Sequence, residues 1–433
     1  MKLRNTKALV VGMERSGRAA AAFLREQGAV VTTTDLKQHD EAGFRVQSDE
    51  LLAENRDLIV LSPGVPPDLA GLEKARARGV DVMGETELAA PFLLGRTIGI
   101  TGSNGKTTTT SMLAHILRVN GVAAQVGGNI GTPVISMAAT SRANQWNVLE
   151  LSSFQLETTR TFHAHVAVCL NVTQNHLDRH HTFENYVAAK GNLFRTQQEG
   201  DHAVLNRDDR TCRDTIAELT PVPPEWFSAA DIFGGDIYLD RAKLMAVKDL
   251  PVPGVHNALN AMAAAYVARI AGVSLMGSRD ALKTFQAVEH RLEFVAETDG
   301  VGYYNDSKAT SVDATIKALD SFDGNLWVIL GGKDKGSDYT LLRERLMRKA
   351  HAVLLIGDAA EKIAGELDGS VEIIRAGTLA RAVGEARQNA QPGDTVLLAP
   401  ACASFDQFQS YEHRGQVFKD LVHQLSKDNG AKT

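Results

Sequence analysis

The chain has 433 residues, 44% of them hydrophobic and 23% charged, with a formal net charge of −6. That length exceeds one ordinary core and predicts two or three domains, and the acidic balance argues against a nucleic-acid-binding surface as the main function. Neither membrane insertion nor export is expected: Arg269 breaks the alanine-rich stretch Ala261–Ala271, and the apolar run Ala8–Met13 stops at Glu14 and Arg15.

Lys7–Gly12 reads as a buried strand, Gly17–Gln27 as a helix closed by Gly28, and Ala29–Thr34 as a second strand ending at Asp35. A further strand, Asp57–Leu61, ends at Ser62-Pro63-Gly64. This is a βαβ unit of the nucleotide-binding kind. Its fingerprint, Gly12-Met13-Glu14-Arg15-Ser16-Gly17, carries glutamate where a middle glycine normally lets backbone approach a pyrophosphate. Bulk and like charge disfavour an NAD-type dinucleotide there. What remains is a site for another nucleotide-containing molecule, or a Rossmann-like domain without a ligand.

A second domain begins near Glu87. The strand Thr97–Thr101 runs into Gly102-Ser103-Asn104-Gly105-Lys106-Thr107-Thr108 and then a helical pattern, the layout of a phosphate-binding loop. The glycines let backbone N–H groups converge on an anion, Lys106 reaches the β/γ-phosphates and the Thr107 hydroxyl holds Mg²⁺. Ile100 stands where the general motif has its first glycine. Strands at Asn147–Leu151, Val166–Asn171 and His202–Asn206 alternate with helices, which predicts a parallel sheet covered on both faces. Glu150, at a strand end, is a candidate Mg²⁺ ligand opposite Thr107, or else a capping or ion-paired carboxylate. In His176-Leu177-Asp178-Arg179-His180-His181, His176 and His180 are expected to share a helix face. A zinc site lacks a further ligand, so His176 is read as a contact to the reacting phosphate or to a second Mg²⁺. By composition alone Lys190 is a solvated helix residue. Asn257 is expected to cap a helix over Ala258–Ala271.

A third domain starts around His290, with strands at Gly302–Tyr304, Leu326–Leu330, Ala352–Ile356 and Thr395–Leu398. Arg291 can reach across a cleft to neutralise phosphate. Asp306-Ser307-Lys308-Ala309-Thr310 suits a nucleotide edge and an anionic substrate, though singly each is a common turn residue. The loops Gly331–Gly336 and Ala401–Asp406 follow strand ends and could complete a second anion site. Cys169, Cys212 and Cys402 are scattered, which fits reduced cytoplasmic thiols rather than disulfides or zinc.

Taken together, Thr101–Thr108, Asn171-x-x-x-Asn175-His176-Leu177-Asp178, Gly254-x-His256-Asn257-x-x-Asn260, His290-Arg291 and Asp306–Thr310 resemble the ATP-dependent Mur ligases over essentially the whole chain. The closing Ala401–Phe408 run with Tyr411, Glu412, Arg414 and Gly415, and Ser62-Pro63-Gly64-Val65-Pro66 near the start, resemble the branch that adds D-glutamate. Glu14 and Ser311 depart from the family pattern. The resemblance implies an α/β protein of three domains: a Rossmann-like UDP-binding domain at 1–87, a central P-loop ATPase domain with a parallel sheet at 88–288, and a Rossmann-like C-terminal domain at 289–433. It implies an ATP-dependent ligase that adds D-glutamate to UDP-N-acetylmuramoyl-L-alanine through an acyl phosphate, in cytoplasmic peptidoglycan precursor synthesis. Such an enzyme is a monomer with small-molecule substrates and no nucleic-acid or membrane partner.

Residue by residue, the resemblance puts Ser16, Asp35, Lys37 and Ser62 near the UDP moiety, with Asn129 and His176 by the acyl end. It puts Gly102, Ser103, Asn104, Gly105, Lys106, Thr107, Thr108, Asn257, Asn260, Arg291 and Asp306 around ATP. Thr107, Glu150, His176 and Lys190 surround two Mg²⁺ ions, with Lys190 carbamylated, which reverses the reading from composition. Thr310, Lys335 (rather than Lys333), Ser404 and Tyr411 surround D-glutamate, and Lys106, His176 and Lys190 are the implied catalytic groups. The competing readings are another member of the same family, a P-loop protein that binds nucleotide without making a bond, and an NAD-dependent dehydrogenase.

Overall fold

The computed structural model describes residues 2–286 and 288–430. It separates into two compact units, Met1–Ala246 with Leu259–Lys283, and Val247–Ala258 with Thr284–Thr433.

The first unit holds two parallel sheets. The leading one comprises β1 (Lys7–Val11), β2 (Val30–Asp35), β3 (Phe44–Val46), β4 (Leu58–Leu61) and β5 (Asp81–Gly84), in the order β3-β2-β1-β4-β5. Ala8–Val11 and Leu58–Leu61 are buried throughout, as continuous apolar runs must be when both faces of a sheet are covered. The strand order reverses between β1 and β4, which opens a crevice beyond their C-terminal ends. Gly12 takes φ +88 there, and its carbonyl accepts the Ser62 hydroxyl at 2.6 Å. A Cβ on Gly17 would lie 1.8 Å from the Gly12 carbonyl oxygen, so only glycine lets the following helix close on β1. That helix, Arg15–Glu26, starts two residues before the expected Gly17, with Glu14 extended in front of it.

The second sheet comprises β6 (Arg96–Thr101), β7 (Ala124–Gly128), β8 (Trp146–Glu150), β9 (Val166–Cys169), β10 (His202–Asn206) and β11 (Pro224–Phe227), in the order β11-β10-β9-β6-β8-β7. The strand leading to the phosphate loop, β6, is therefore flanked by the two strands that end at Glu150 and just before Asn171. A small antiparallel sheet follows: β12 (Ile232–Phe233), β13 (Asp236–Leu239) and β14 (Ala242–Ala246). The two large sheets share a core, in which Met13, Leu24, Met83 and Leu88 pack in one cluster with Ile135, Leu149 and Leu156.

The helix expected at Ala258–Ala271 runs over Val255–Ile270, which corrects the reading of Asn257. Asn257 lies inside the helix, and its amide donates to the Pro253 carbonyl at 2.7 Å. Gly254, at φ +98, supplies the bend that lets the helix begin earlier.

The second unit contains β15 (Glu293–Thr298), β16 (Val301–Asn305), β17 (Leu326–Gly331), β18 (Ala350–Ile356), β19 (Glu372–Gly377) and β20 (Thr395–Leu398), in the order β15-β16-β20-β17-β18-β19. Only β15 is antiparallel to its neighbour. The adjacent C-terminal ends of β16, β20 and β17 bring the loops after Asn305, Leu398 and Gly331 to one edge. The three cysteines are free and buried.

Candidate active site

The phosphate loop is built by its glycines. Gly102 takes φ +149 and Gly105 φ +84, backbone that side chains rarely adopt. A Cβ on Gly105 would stand 2.4 Å from Oδ1 of Asn260, so the loop and that asparagine are in close contact. Behind the loop, Asn171 accepts from the Asn104 N–H at 2.9 Å and donates to the Asn104 carbonyl at 3.1 Å. The Ser103 hydroxyl lies 2.9 Å from the Tyr186 hydroxyl and accepts from the Thr173 N–H at 2.9 Å. These contacts brace the loop, with Thr107 and Thr108 in the first turn of the helix Lys106–Val119.

Two lysines converge on it. Lys106 Nζ donates to the Gly102 carbonyl at 2.7 Å and to the Ser103 carbonyl at 3.0 Å. Lys190, 1% exposed, donates to the same Gly102 carbonyl at 2.9 Å and lies 4.6 Å from the Tyr186 ring centre. Burial, reinforced by the Lys106 charge, pushes the Lys190 amine down to about 7. The solvated position suggested by composition is therefore wrong.

Glu150 ends β8 one strand away from the loop and is 1% exposed. The Asn129 amide donates to its Oε1 at 2.7 Å, while its buried Oε2 has no hydrogen-bond partner. A desolvated carboxylate oxygen left bare is costly unless a cation or proton meets it, so the residue fits a Mg²⁺ ligand.

His176 does not share a helix face with His180. The single-turn helix begins at Leu177, and His176 precedes it at φ +53, exposed, with its ring edge-on to Phe154 at 4.8 Å. His180 turns inward to the Ser153 hydroxyl at 3.0 Å, and burial with the neighbouring Arg179 charge lowers it to about 4. Among the described residues, no group of three or more His, Cys, Asp or Glu side chains could hold a metal ion by themselves.

The crevice at the end of β1 and β4 opens into a cavity of about 450 Å³, within the range that holds a drug-sized ligand. Its wall includes Ser16, Asp35, Lys37, Ser62 and Asn129, the five residues expected around the UDP-bearing substrate. Asp35 accepts the Met13 N–H at 2.6 Å and the Lys37 N–H at 3.0 Å. Burial works to raise its carboxyl, but these backbone N–H groups outweigh it and hold the group below its ordinary value. Glu14 and Arg15 also line the cavity.

In the second unit, the loops at the end of β16, β17 and β20 are cross-braced. The Lys333 N–H donates to the Ala403 carbonyl at 2.9 Å, and the Ala403 N–H returns the bond at 3.2 Å. Lys308 Nζ donates to the Tyr411 hydroxyl at 2.8 Å, and Ser404 is 2% exposed. Lys333 and Lys335 are both exposed at the rim, and Thr310 is half-buried. Asp306 accepts the Leu292 N–H at 3.3 Å; burial raises it to about 7 against the pull of Arg291.

Residues 100–268 match the Mur ligase middle domain, and residues 290–402 match the Mur ligase glutamate ligase domain. A UDP-N-acetylmuramoylalanine–D-glutamate ligase of Solibacter usitatus is 58% identical over 440 residues, covering 98% of this chain and 99% of the relative. The chain belongs to the Mur ligase family. A second relative with the same name, from Acidobacterium capsulatum, is 50% identical, covering 98% of this chain and 97% of its own. Among solved structures, a MurF ligase of Thermotoga maritima in complex with ADP superposes at TM-score 0.62 and 17% identity, covering 97% of this chain and 96% of that one. The UDP-N-acetylmuramate–alanine ligase MurC of the same organism gives 0.60 at 18%, covering 97% and 99%. At such identities the superpositions speak to the Mur ligase fold alone.

Three side chains stood in the sequence motifs without a role of their own. Asn171 was visible only as a motif landmark, and its role as the brace of Asn104 is a tertiary fact. Arg414, fully buried, donates to the Ser307 carbonyl at 2.8 Å and the Cys402 carbonyl at 3.2 Å, tying the loops after β16 and β20 together. Arg179 looked like one more charged residue in a histidine-rich run.

Proposed function

We infer that this chain is an ATP-dependent ligase that adds D-glutamate to UDP-N-acetylmuramoyl-L-alanine in peptidoglycan precursor synthesis. The observation that carries this reading is the reach of one cavity. It runs from Asp35 and Lys37 to Asn129, whose amide holds Glu150 one strand from the phosphate loop. A substrate anchored by UDP at one end would present its carboxylate beside the ATP phosphates at the other.

In this reading residues 1–87 hold the UDP substrate, 88–288 hold ATP, and 289–433 bring D-glutamate. The alanyl carboxylate attacks the γ-phosphorus, ADP leaves, and an acyl phosphate forms. The glutamate amine, having lost a proton, then attacks the acyl carbon, and inorganic phosphate departs. Phosphoryl transfer needs positioning and charge neutralisation above all, and Lys106 and Arg291 supply cationic charge from this chain. Thr107, Glu150 and His176 would hold Mg²⁺, which supplies further charge neutralisation on the phosphates. Gly102–Thr108 and Asn260 cradle the triphosphate, with Asn257 and Asp306 on the nucleoside side. Thr310, Lys335, Ser404 and Tyr411 receive the two carboxylates of D-glutamate.

Lys190 has the chemistry for carbamylation. A buried amine that titrates near 7 is neutral often enough to add to CO₂, giving a carbamate and a proton, and the new carboxylate would be a metal ligand beside the loop. The reading also takes the enzyme as a cytoplasmic monomer. No described helix is long and apolar enough to cross a membrane.

The test is phosphate release from ATP. Sustained release is expected only with UDP-N-acetylmuramoyl-L-alanine and D-glutamate both present. Release that is indifferent to amino acid, or that prefers L-alanine, L-glutamate or a diamino acid, would overturn the assignment.

A further inference from the structure

Arg179 joins two parts of the molecule that are far apart in sequence. Its guanidinium donates to the Val65 carbonyl at 2.6 Å and to the Pro63 and Gly64 carbonyls at 3.4 Å each. The same group pairs with Glu157, Nε lying 3.1 Å from Oε1 with a shorter contact from Nη2. Both side chains are nearly buried, at 10% and 11% exposure. Its flat face lies 5.2 Å from the Phe154 ring, whose edge meets His176 at 4.8 Å. Pro63, Gly64 and Val65 are themselves wall of the 450 Å³ cavity, facing Asp35 and Lys37.

We propose that Arg179 is a positioning residue, which fixes the Pro63–Val65 rim of the UDP cavity to the segment that carries His176. It touches neither substrate nor reacting atoms. A planar fork suits this role because three carbonyls and a carboxylate must be met in one plane-like array, which a lysine ammonium cannot do. The proposal rests on the reading of that cavity as the UDP-substrate site. A second link between the same segments, His181 to Asp68 at 3.1 Å, is 65% and 60% exposed, and such a pair is expected to contribute little.

The experiment is a calorimetric titration of the full-length protein with UDP alone, followed by steady-state kinetics. Arg179→Lys is expected to weaken UDP and raise KM for the UDP substrate about tenfold, the loss of one or two charge-assisted hydrogen bonds. KM for ATP is expected to stay within about twofold, and the exposed control Asp68→Asn to match the wild type. Should Arg179→Lys fold poorly, Glu157→Gln, which discharges the guanidinium's partner while keeping its shape, is expected to weaken UDP in the same direction. Unchanged UDP affinity in both variants overturns the proposal, as does an equal rise in KM for ATP. If the wild type itself does not bind UDP, the cavity reading fails first and takes this proposal with it.

Discussion

Lys190 shows how one residue can be a liability for the fold while serving a proposed role in the chemistry. Its amine sits at about 7 instead of 10.5 because burial removes water from the charge. The unfolded chain keeps that proton up to 10.5 while the folded chain releases it near 7, so stability rises with pH across that window. Lys190→Met removes the buried charge, and the Gly102 carbonyl keeps its bond from Lys106. In bicarbonate-free buffer the variant is expected to match or exceed the wild-type melting temperature at pH 7 and below, with the gap narrowing as pH approaches 9.5. Ligase activity is expected to vanish in the same protein. A melting temperature several degrees below wild type at pH 7 would show that the buried ammonium is a net support. The proposed carbamate has its own check: Lys190→Ala is expected to regain part of its activity with added formate or acetate, and a fully active unrescued variant would remove the idea.

At the scale of elements, the short helix Glu85–Ala89 stitches the two sheets of the first unit together. Glu87 accepts the N–H groups of Arg160, Thr161 and Phe162 at 2.9, 2.9 and 3.1 Å, and the Thr161 hydroxyl at 2.6 Å. Glu87→Ala strands three N–H groups and a hydroxyl at a 6%-exposed site and is expected to cost about 3 kcal/mol in urea denaturation; a loss under about 1 kcal/mol would mean the turn re-pairs with water. Its neighbour Glu85 accepts the Ile135 N–H at 2.6 Å but is buried, and desolvation raises it to about 7. The unfolded chain releases this proton near 4.5, so the pair loses stability as pH rises from 4.5 through 7. Glu85→Gln keeps an acceptor for Ile135 and is expected to remove that decline, leaving the variant the more urea-resistant protein at pH 8; parallel pH profiles would contradict this. None of this stitching was readable beforehand. A carboxylate that serves a turn more than seventy residues away leaves no local pattern, and Arg179, with its partners at Pro63–Val65, is the same case. The strands that did read correctly, such as Thr395–Leu398 and His202–Asn206, carry their signal as contiguous apolar residues. The missed ones, such as β7 (Ala-Gln-Val-Gly-Gly) and the two-residue β12, do not.

For the whole molecule, the motif residues were legible because each strand end in an open parallel sheet is a place where a site can form. Sequence could therefore name Lys106, Glu150 and Asp306 as candidates at strand ends and loop turns without showing what each one contacts. What it could not give was the division of the residues proposed for ATP between two compact units, since that depends on which segments pack together. Lys106, Thr107 and Asn260 fall in the first unit, whereas Asn257, Arg291 and Asp306 fall in the second, with the cut passing through one helix between Ala258 and Leu259. The cavity proposed for UDP, by contrast, is lined entirely by the first unit. If the proposed roles hold, damage at Asn257, Arg291 or Asp306 must register on ATP and leave UDP untouched, and damage in the cavity must do the reverse. Arg291→Ala is expected to raise KM for ATP about tenfold, as the loss of one charge-assisted contact predicts, with the UDP titration unchanged. Asp35→Asn keeps the size of the side chain but removes the charge and one of its two acceptor oxygens, so its NH2 must face either the Met13 or the Lys37 N–H. It is expected to change KM for the UDP substrate while KM for ATP stays at the wild-type value. Crossed effects in either variant would mean that the two substrates are not read by separate parts of the chain, and the proposed division of labour would have to be abandoned even if the ligase activity stood.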